Sequence, residues 1–191
     1  MKTSLIFSAL MLIGSFVTAS IEPVISENID VTKSTITWTG KKVTGEHTGM
    51  VNIKSGNLLY DNDMLSGGNF EIDMTSITNT DMEGEWSDKL VGHLNSDDFF
   101  SVATFPTASL VITKVESSEN GTYKISADLT IKGQTHPLSF MATNNDSGFT
   151  ANITVDRTLY DIKYGSGKFF EGLGDKMIYD DFELSVNLIK A

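Results

Sequence analysis

The sequence predicts an all-β protein whose strands form an antiparallel sheet with one apolar and one polar face. Apolar and polar residues alternate in about eight segments, and turn-forming residues separate these segments at intervals of roughly ten to fifteen positions. Of the 191 residues, 40% are hydrophobic, which is enough for a self-sufficient core. Eight such strands form either a sandwich or a closed barrel, and closure would leave no exposed sheet edge.

The predicted strands follow one another with short connections. They cover residues 34–44, 46–60, 65–77, 104–115, 122–132, 138–143, 149–156 and 181–190. The second of them is interrupted by Ser55-Gly56-Asn57. Asn120-Gly121 and Gly133-Gln134 predict tight turns, because glycine and asparagine tolerate positive φ angles.

One segment departs from this alternation. Trp86, Leu90 and Leu94 recur at intervals of four residues, which is the spacing of a helical stripe. We expect one helix over residues 82–95, with Asp81 as its N-terminal cap. A single amphipathic helix among eight strands would lie across an end or a side of the barrel.

The first residues predict a secretory signal peptide. Lys2 precedes an apolar run over residues 5–17, and this run is too short to span a membrane. We expect cleavage after Ala19, then an irregular leader over residues 20–32 that contains Pro23, and a folded domain over residues 33–191. No cysteine follows the cleavage site and no later stretch is apolar enough to span a bilayer. We therefore expect a periplasmic or secreted protein without a lipid anchor.

Charge and cysteine content exclude several functional classes. The chain carries 25 acidic and 14 basic side chains, which gives a formal net charge of −11. Such an acidic chain is a poor partner for nucleic acid and for anionic lipid surfaces. The absence of cysteine excludes disulfides, thiolate zinc sites, iron–sulfur clusters and cysteine nucleophiles.

No motif predicts a catalytic or a metal site. His47, His93 and His136 do not have the spacing of metal ligands. Gly165-Ser166-Gly167-Lys168 lacks the upstream glycine and the following serine or threonine of a phosphate-binding loop. The nucleophile pattern G-x-S-x-G is also absent. We therefore expect no catalytic residue, no metal and no cofactor apart from a bound ligand.

The predicted inner face mixes large and small side chains. The residues predicted on this face are Phe70, Phe140, Phe149, Phe182, Ala127, Ala142 and Ala151. Side chains of such different sizes either pack against each other or leave a lumen, and an eight-stranded barrel allows both outcomes.

Arg157 is the only arginine of the chain, and its parity in the strand at 149–156 turns it inward. A guanidinium at the mouth of an apolar barrel requires an anionic or carbonyl partner. Asp161 or Glu171 could supply that partner, or the polar head of a bound amphiphile could.

Several motifs occur in the order seen in the YceI-like family of exported lipid-binding barrels. The most specific is Leu90-Val91-Gly92-His93-Leu94-Asn95-Ser96-Asp97-Asp98-Phe99-Phe100, followed by Phe105-Pro106. An earlier piece is Trp38-Thr39-Gly40-Lys41, and a later one is Arg157-Thr158-Leu159-Tyr160-Asp161. The chain resembles this family over residues 29–191.

The resemblance implies an extended, eight-stranded antiparallel lipocalin-like β-barrel with one short helix. It also implies a periplasmic carrier that holds a long isoprenoid or similar amphiphilic lipid, of polyprenyl phosphate or quinone type, and that often forms homodimers. No enzymatic activity is established for the fold. Strand parity and motif positions together give the expected contacts of the ligand.

The expected ligand-binding residues fall into three groups. The apolar tunnel is expected to be lined by Phe70, Ile72, Met74, Leu110, Ile125, Leu129, Phe140, Phe149, Ile153 and Leu184. Phe99 and Phe100 are candidates for the entrance. The polar head is expected to meet Arg157, Tyr164 and His93.

Two other functions compete with a carrier. The first is an enzyme that acts on an isoprenoid or a quinone, with His93 or His47 as acid–base. It would need a histidine beside a carboxylate, and the sequence shows no such pair. The second is a barrel filled by its own side chains that acts as an interaction module.

Overall fold

The computed structural model describes residues 23–117 and 119–191, so the predicted signal segment 1–19 lies outside the described residues. This part of the chain contains nine strands and one α-helix. In chain order they are β1 (Ile25–Asn28), β2 (Thr35–Lys42), β3 (Gly45–Asp61), β4 (Met64–Asp73), α1 (Glu85–Asn95), β5 (Thr107–Ser117), β6 (Thr122–Ile131), β7 (Gln134–Asn145), β8 (Gly148–Asp156) and β9 (Ile178–Ile189).

Strands β2 to β9 close into one antiparallel barrel. Neighbours pair in the order β3-β2-β9-β8-β7-β6-β5-β4, and β4 pairs back onto β3. Every strand of the barrel therefore has a partner on both sides, which removes the exposed edges that a sandwich would keep. The predicted all-β, eight-stranded antiparallel barrel with one helix is confirmed.

Strand β3 is much longer than its neighbours because it pairs with three other strands. Its first half pairs with β2, and its second half pairs with β4 on one edge and β1 on the other. The sequence predicted an interruption at Ser55-Gly56-Asn57, and this prediction was wrong. The strand runs through these residues with a register shift between Ile53 and Ser55, because a bulge inserts a residue without ending the strand. Gly56 is required there, since a Cβ atom would lie 2.4 Å from the Phe70 ring.

The segment expected as an irregular leader contains strand β1. Residues 25–28 pair with residues 57–60 of β3, where β2 no longer covers that edge. Strand β1 thus pairs an edge that would otherwise be open to solvent. Pro23 lies just before the strand, and residues 20–22 lie outside the described part of the chain.

The helix begins later than predicted. Helix α1 starts at Glu85, and Gly84 occupies the N-cap position without a side-chain hydrogen bond. The prediction of Asp81 as the cap was wrong. Its carboxylate instead accepts hydrogen bonds from residues of β3 and of the adjoining loop.

The two ends of the barrel differ. The helix end carries α1 within the connection 74–106 and the long connection 157–177. The far end carries the short turns at 62–63 and 146–147. Strands β7 and β8 pair over only four residue pairs next to the far end. Beyond these pairs the one-turn segment Arg157–Tyr160 packs against β7, with the Tyr160 ring 5.3 Å from that of His136.

Candidate functional site

The barrel encloses a cavity of about 190 Å³. Side chains from all eight barrel strands line it, and nearly all of this wall is apolar. Strand alternation produces this wall, because every second residue of a barrel strand points inward. The interior is therefore suited to an apolar guest and offers little to a polar one.

The cavity is lined by nearly all of the residues that the sequence nominated as ligand contacts. Those on its wall are Phe70, Ile72, Met74, Phe99, Phe100, Leu110, Ile125, Leu129, Phe140, Phe149, Ile153, Arg157 and Leu184. His93 and Tyr164 do not line the cavity. The binding roles of all these residues remain predictions, and their placement gives the geometry in which they would act.

A second group of lining residues, in β2, β3 and β9, was not among the predicted ligand contacts, although the sequence placed Phe182 on the inner face. They are Ile36, Trp38, Val51, Ile53, Leu58, Phe182, Val186 and Leu188. Alternation in β2 and β9 carries the signal for Ile36, Trp38, Phe182 and Val186. In β3 the bulge at residues 53–55 shifts the parity, so one continuous alternation does not identify the lining residues on both sides of it.

A chain of aromatic rings closes the helix end of the cavity. The Phe99 ring is buried, 5.0 Å from the Phe100 ring, and Phe100 lies 6.3 Å from Phe182. Helix α1 stops at Asn95, where Ser96 caps the carbonyl of His93 with its hydroxyl at 2.7 Å. The chain then turns sharply and carries the phenylalanines into the barrel mouth.

His93 and Tyr164 sit behind this aromatic layer rather than in the cavity. The His93 ring lies 5.6 Å from Phe99 and 4.4 Å from Tyr164. Its Nε2 atom is buried without a hydrogen-bond partner, and so is Oδ1 of Asn95. Buried polar atoms are normally paired. His93 and Asn95 at the helix end therefore each have a buried polar atom that could still accept or donate a hydrogen bond. Only the Phe99 ring lies between His93 and the cavity.

Arg157 is held in place by hydrogen bonds to backbone carbonyls. Its Nε donates to the carbonyl of Tyr179 at 3.1 Å, and its Nη1 donates to that of Ile162 at 2.8 Å. Nη2 donates to the carbonyl of Ile178 at 3.1 Å and lies 3.7 Å from Oδ1 of Asp180. The side chain is only 2% exposed. Arg157 thus ties the end of β8 to the start of β9 from inside the barrel.

The two carboxylates that the sequence offered as partners of Arg157 are not its partners. Asp161 pairs with Lys163 at 2.6 Å, and the acidic residue nearest to the guanidinium is Asp180 rather than Glu171. Burial lowers the pKa of Arg157, and the charge of Asp180 opposes that effect. An arginine stays protonated at neutral pH in either case. Its charge faces the Phe99 ring at 5.7 Å, at the edge of the cavity.

A histidine–carboxylate pair exists that the sequence did not reveal. Nδ1 of His47 lies 2.9 Å from Asp81, whose other oxygen accepts from the Thr48 amide at 2.9 Å and from Asn79. Burial would raise the pKa of Asp81, but these hydrogen bonds outweigh it and lower the pKa below its ordinary value. Neither His47 nor Asp81 lines the cavity. The pair joins the 77–83 loop to β3 and is not part of the cavity wall.

The described residues offer no preformed metal site, since no three His, Asp or Glu side chains among them converge. Within residues 23–117 and 119–191, helix α1 is too short and too polar to cross a bilayer, and no other helix there meets that requirement.

Comparison with known proteins identifies relatives for most of the chain. A YceI-like domain matches residues 28–189. A UPF0312 protein of Shewanella denitrificans is 34% identical over 94 residues, which cover 49% of this chain and 47% of that protein. A UPF0312 protein of Pseudomonas putida is 32% identical over 108 residues, covering 51% of this chain and 52% of that protein. The chain thus spans about half the length of the curated relatives it matches.

Solved structures share the fold at low sequence identity. Burkholderia cenocepacia BcnA superposes with a TM-score of 0.66 at 17% identity, over 85% of this chain and 99% of BcnA. A polyisoprenoid binding domain from Saccharophagus degradans gives 0.61 at 16% identity, over 85% of this chain and 96% of that domain. A Campylobacter jejuni YCEI protein gives 0.53 at 16% identity, over 100% of this chain and 99% of that protein.

The match to the YceI-like domain covers most of the chain and assigns the family. The matched segment 28–189 runs from the end of β1 to the end of β9 and contains the whole cavity wall. The chain therefore belongs to the family of YceI-like domains.

Proposed function

We propose that this protein is an exported carrier that holds one long-chain isoprenoid or similar amphiphilic lipid, of polyprenyl phosphate or quinone type, inside the barrel. The observation that carries the proposal is the closed barrel with an almost wholly apolar cavity. A polyisoprenoid binding domain of the same fold is consistent with this ligand class. In this function the protein transfers an apolar chain from water into its interior.

Burial of the lipid tail supplies the affinity in this proposal. Removal of apolar surface from water contributes about 25 cal/mol per Å², less the cost of ordering the tail. The cavity wall is preformed by the strands, so little reorganisation is required of the protein. The aromatic rings of Phe99 and Phe100 would part or tilt to admit the tail at the helix end.

The polar head would remain at the helix end. Three N–H groups of Arg157 are committed to carbonyls, so its main contribution there is long-range positive charge. His93 offers a buried Nε2 without a partner, and the Tyr164 ring packs edge-to-face against its ring. In this arrangement His93 is the side chain with the most unused capacity to bind a carbonyl or phosphate oxygen.

The proposal includes no catalytic role, no metal and no cofactor beyond the bound lipid. The His47–Asp81 pair lies away from the cavity wall, which disfavours an enzyme acting on the enclosed chain. A periplasmic or secreted location, the absence of nucleic-acid partners and a homodimer are parts of the same proposal. They rest on the signal segment, the net charge of −11 and the family resemblance.

A binding titration tests the carrier function. Polyprenyl phosphate and a long-tailed quinone are titrated separately against wild type and Ala151→Trp, with a fluorescent fatty probe displaced from the cavity as the readout. Ala151 lines the cavity, so a tryptophan there should abolish binding of both lipids. Val111→Trp, at an outward position that is 48% exposed, is the matched control and should bind like wild type. Absence of binding to wild type, together with loss of stability in Ala151→Trp, would instead indicate a self-filled interaction module.

A further inference from the structure

One aromatic side chain lies on the cavity wall next to the far end. Phe149 is buried at the start of β8, opposite Leu188 of β9, and its ring lines the cavity. Tyr123 lies 5.9 Å from this ring and Lys190 Nζ lies 5.7 Å from it. Neither Tyr123 nor Lys190 lines the cavity. Phe149 therefore lies between the apolar interior and the side chains of Tyr123 and Lys190 at the far end.

A surface cleft lies beyond this ring. Tyr60 and Lys190 line it together with β1 residues, and Lys190 Nζ stands 5.2 Å from the Tyr60 ring. Lys190 also approaches Glu27 at 3.7 Å, so charged groups face the space beyond Phe149. Apolar side chains therefore lie on one side of the Phe149 ring, and the charged group of Lys190 lies on the other.

The distance between the two ends is fixed by strand β8. Phe149 lies at its start, and Arg157 follows directly after its last residue, Asp156. The strand rises about 3.3 Å per residue, so these two side chains are about 26 Å apart along the strand. An extended apolar tail whose head stays at the helix end meets Phe149 after a length of that order, shortened by the tilt of the strand.

We infer that Phe149 sets the maximum length of the lipid tail that this barrel encloses. The inference rests on the proposed carrier function and specifies its ligand by tail length. A tail that reaches Phe149 fills the apolar interior. A longer tail would have to displace the ring and enter the region of Tyr60 and Lys190, where charged groups replace apolar contacts.

Truncation of Phe149 tests this inference directly. Wild type, Phe149→Ala and Phe149→Leu are each incubated with an equimolar mixture of polyprenyl phosphates of graded isoprene number. Bound chains are extracted and their length distribution is measured by mass spectrometry. One methylene in a tight apolar pocket changes affinity by roughly 10-fold or more. We therefore expect wild type to discriminate at least about tenfold at a sharp upper length, and Phe149→Ala to raise that limit by one isoprene unit or more.

Phe140→Ala is the matched control. Phe140 also lines the cavity, but it sits in the side wall on β7, opposite Ile125. Its truncation widens the cavity without moving the far end, so the upper length should stay that of wild type. Phe149→Leu keeps the site partly filled, so it should fold and give an intermediate limit if the alanine variant does not fold.

The outcomes separate this inference from the proposed function. A wild-type protein that binds no chain of any length would overturn both. If the wild-type protein binds with a sharp length limit and neither Phe149 variant changes that limit, the role of Phe149 is overturned. The carrier function is then still supported. A limit that shifts equally in Phe140→Ala would also overturn the role of Phe149.

Discussion

Replacement of Arg157 by methionine should be among the most destabilising single changes in the barrel. The side chain is 2% exposed and donates to three backbone carbonyls, at distances of 2.8 to 3.1 Å. Methionine is unbranched and has no donor, so all three carbonyls and the buried Asp180 oxygen would lose this partner. Removal of one member of a buried charged network costs about 3–5 kcal/mol.

Urea unfolding followed by tryptophan fluorescence measures this loss. With a slope of about 2 kcal/mol per M, the midpoint should fall by about 2 M. Arg157→Lys should recover little of the loss, since an ammonium is a point charge and does not reproduce the planar array of donors. Lys163→Met is the control, because Lys163 is half exposed and its ion pair with Asp161 contributes less than about 1 kcal/mol. A loss below about 1 kcal/mol for Arg157→Met would refute the assignment of Arg157 as the tie between β8 and β9.

Two further perturbations test the packing and the charge network, both by urea unfolding. Gly49→Ala should cost about 1–3 kcal/mol or more, because the new Cβ would lie 1.8 Å from the Thr78 carbonyl oxygen. Gly92→Ala in helix α1 meets nothing within 4 Å and should instead stabilise by about 0.5–1 kcal/mol, so equal effects at the two glycines would contradict this packing. The lowered pKa of Asp81 predicts stability that is complete above about pH 4 and is lost as the pH falls through the folded-state pKa. Asp81→Asn should therefore show a smaller drop in unfolding free energy between pH 6 and pH 3 than wild type, and an unchanged drop would exclude this role.

Alternation in the sequence predicts most of this fold, because a strand with one buried face has an apolar residue at every second position. Strands β6 and β8 were located to within a few residues on that basis. The bulge in β3 was not predictable in the same way. A bulge shifts the parity by one residue and places Ser55-Gly56-Asn57, which read as a turn, inside a continuous strand.

The candidate site was predictable where it depends on parity and not where it depends on tertiary partners. Parity placed Phe140 and Ile153 on the cavity wall. It also turned Arg157 inward, but its acceptors are carbonyls from the next strand and loop, and carbonyls carry no sequence signature. His47 and Asp81 are 34 positions apart, so the spacing of neighbouring residues does not predict their contact.

Native mass spectrometry of the protein purified from the envelope of its own host tests the central claim most directly. The account predicts one hydrophobic molecule per barrel, released by organic extraction and carrying the mass of an isoprenoid-type lipid. A bare protein mass, followed by failure to take up polyprenyl phosphate or a long-tailed quinone on titration, would contradict the carrier function.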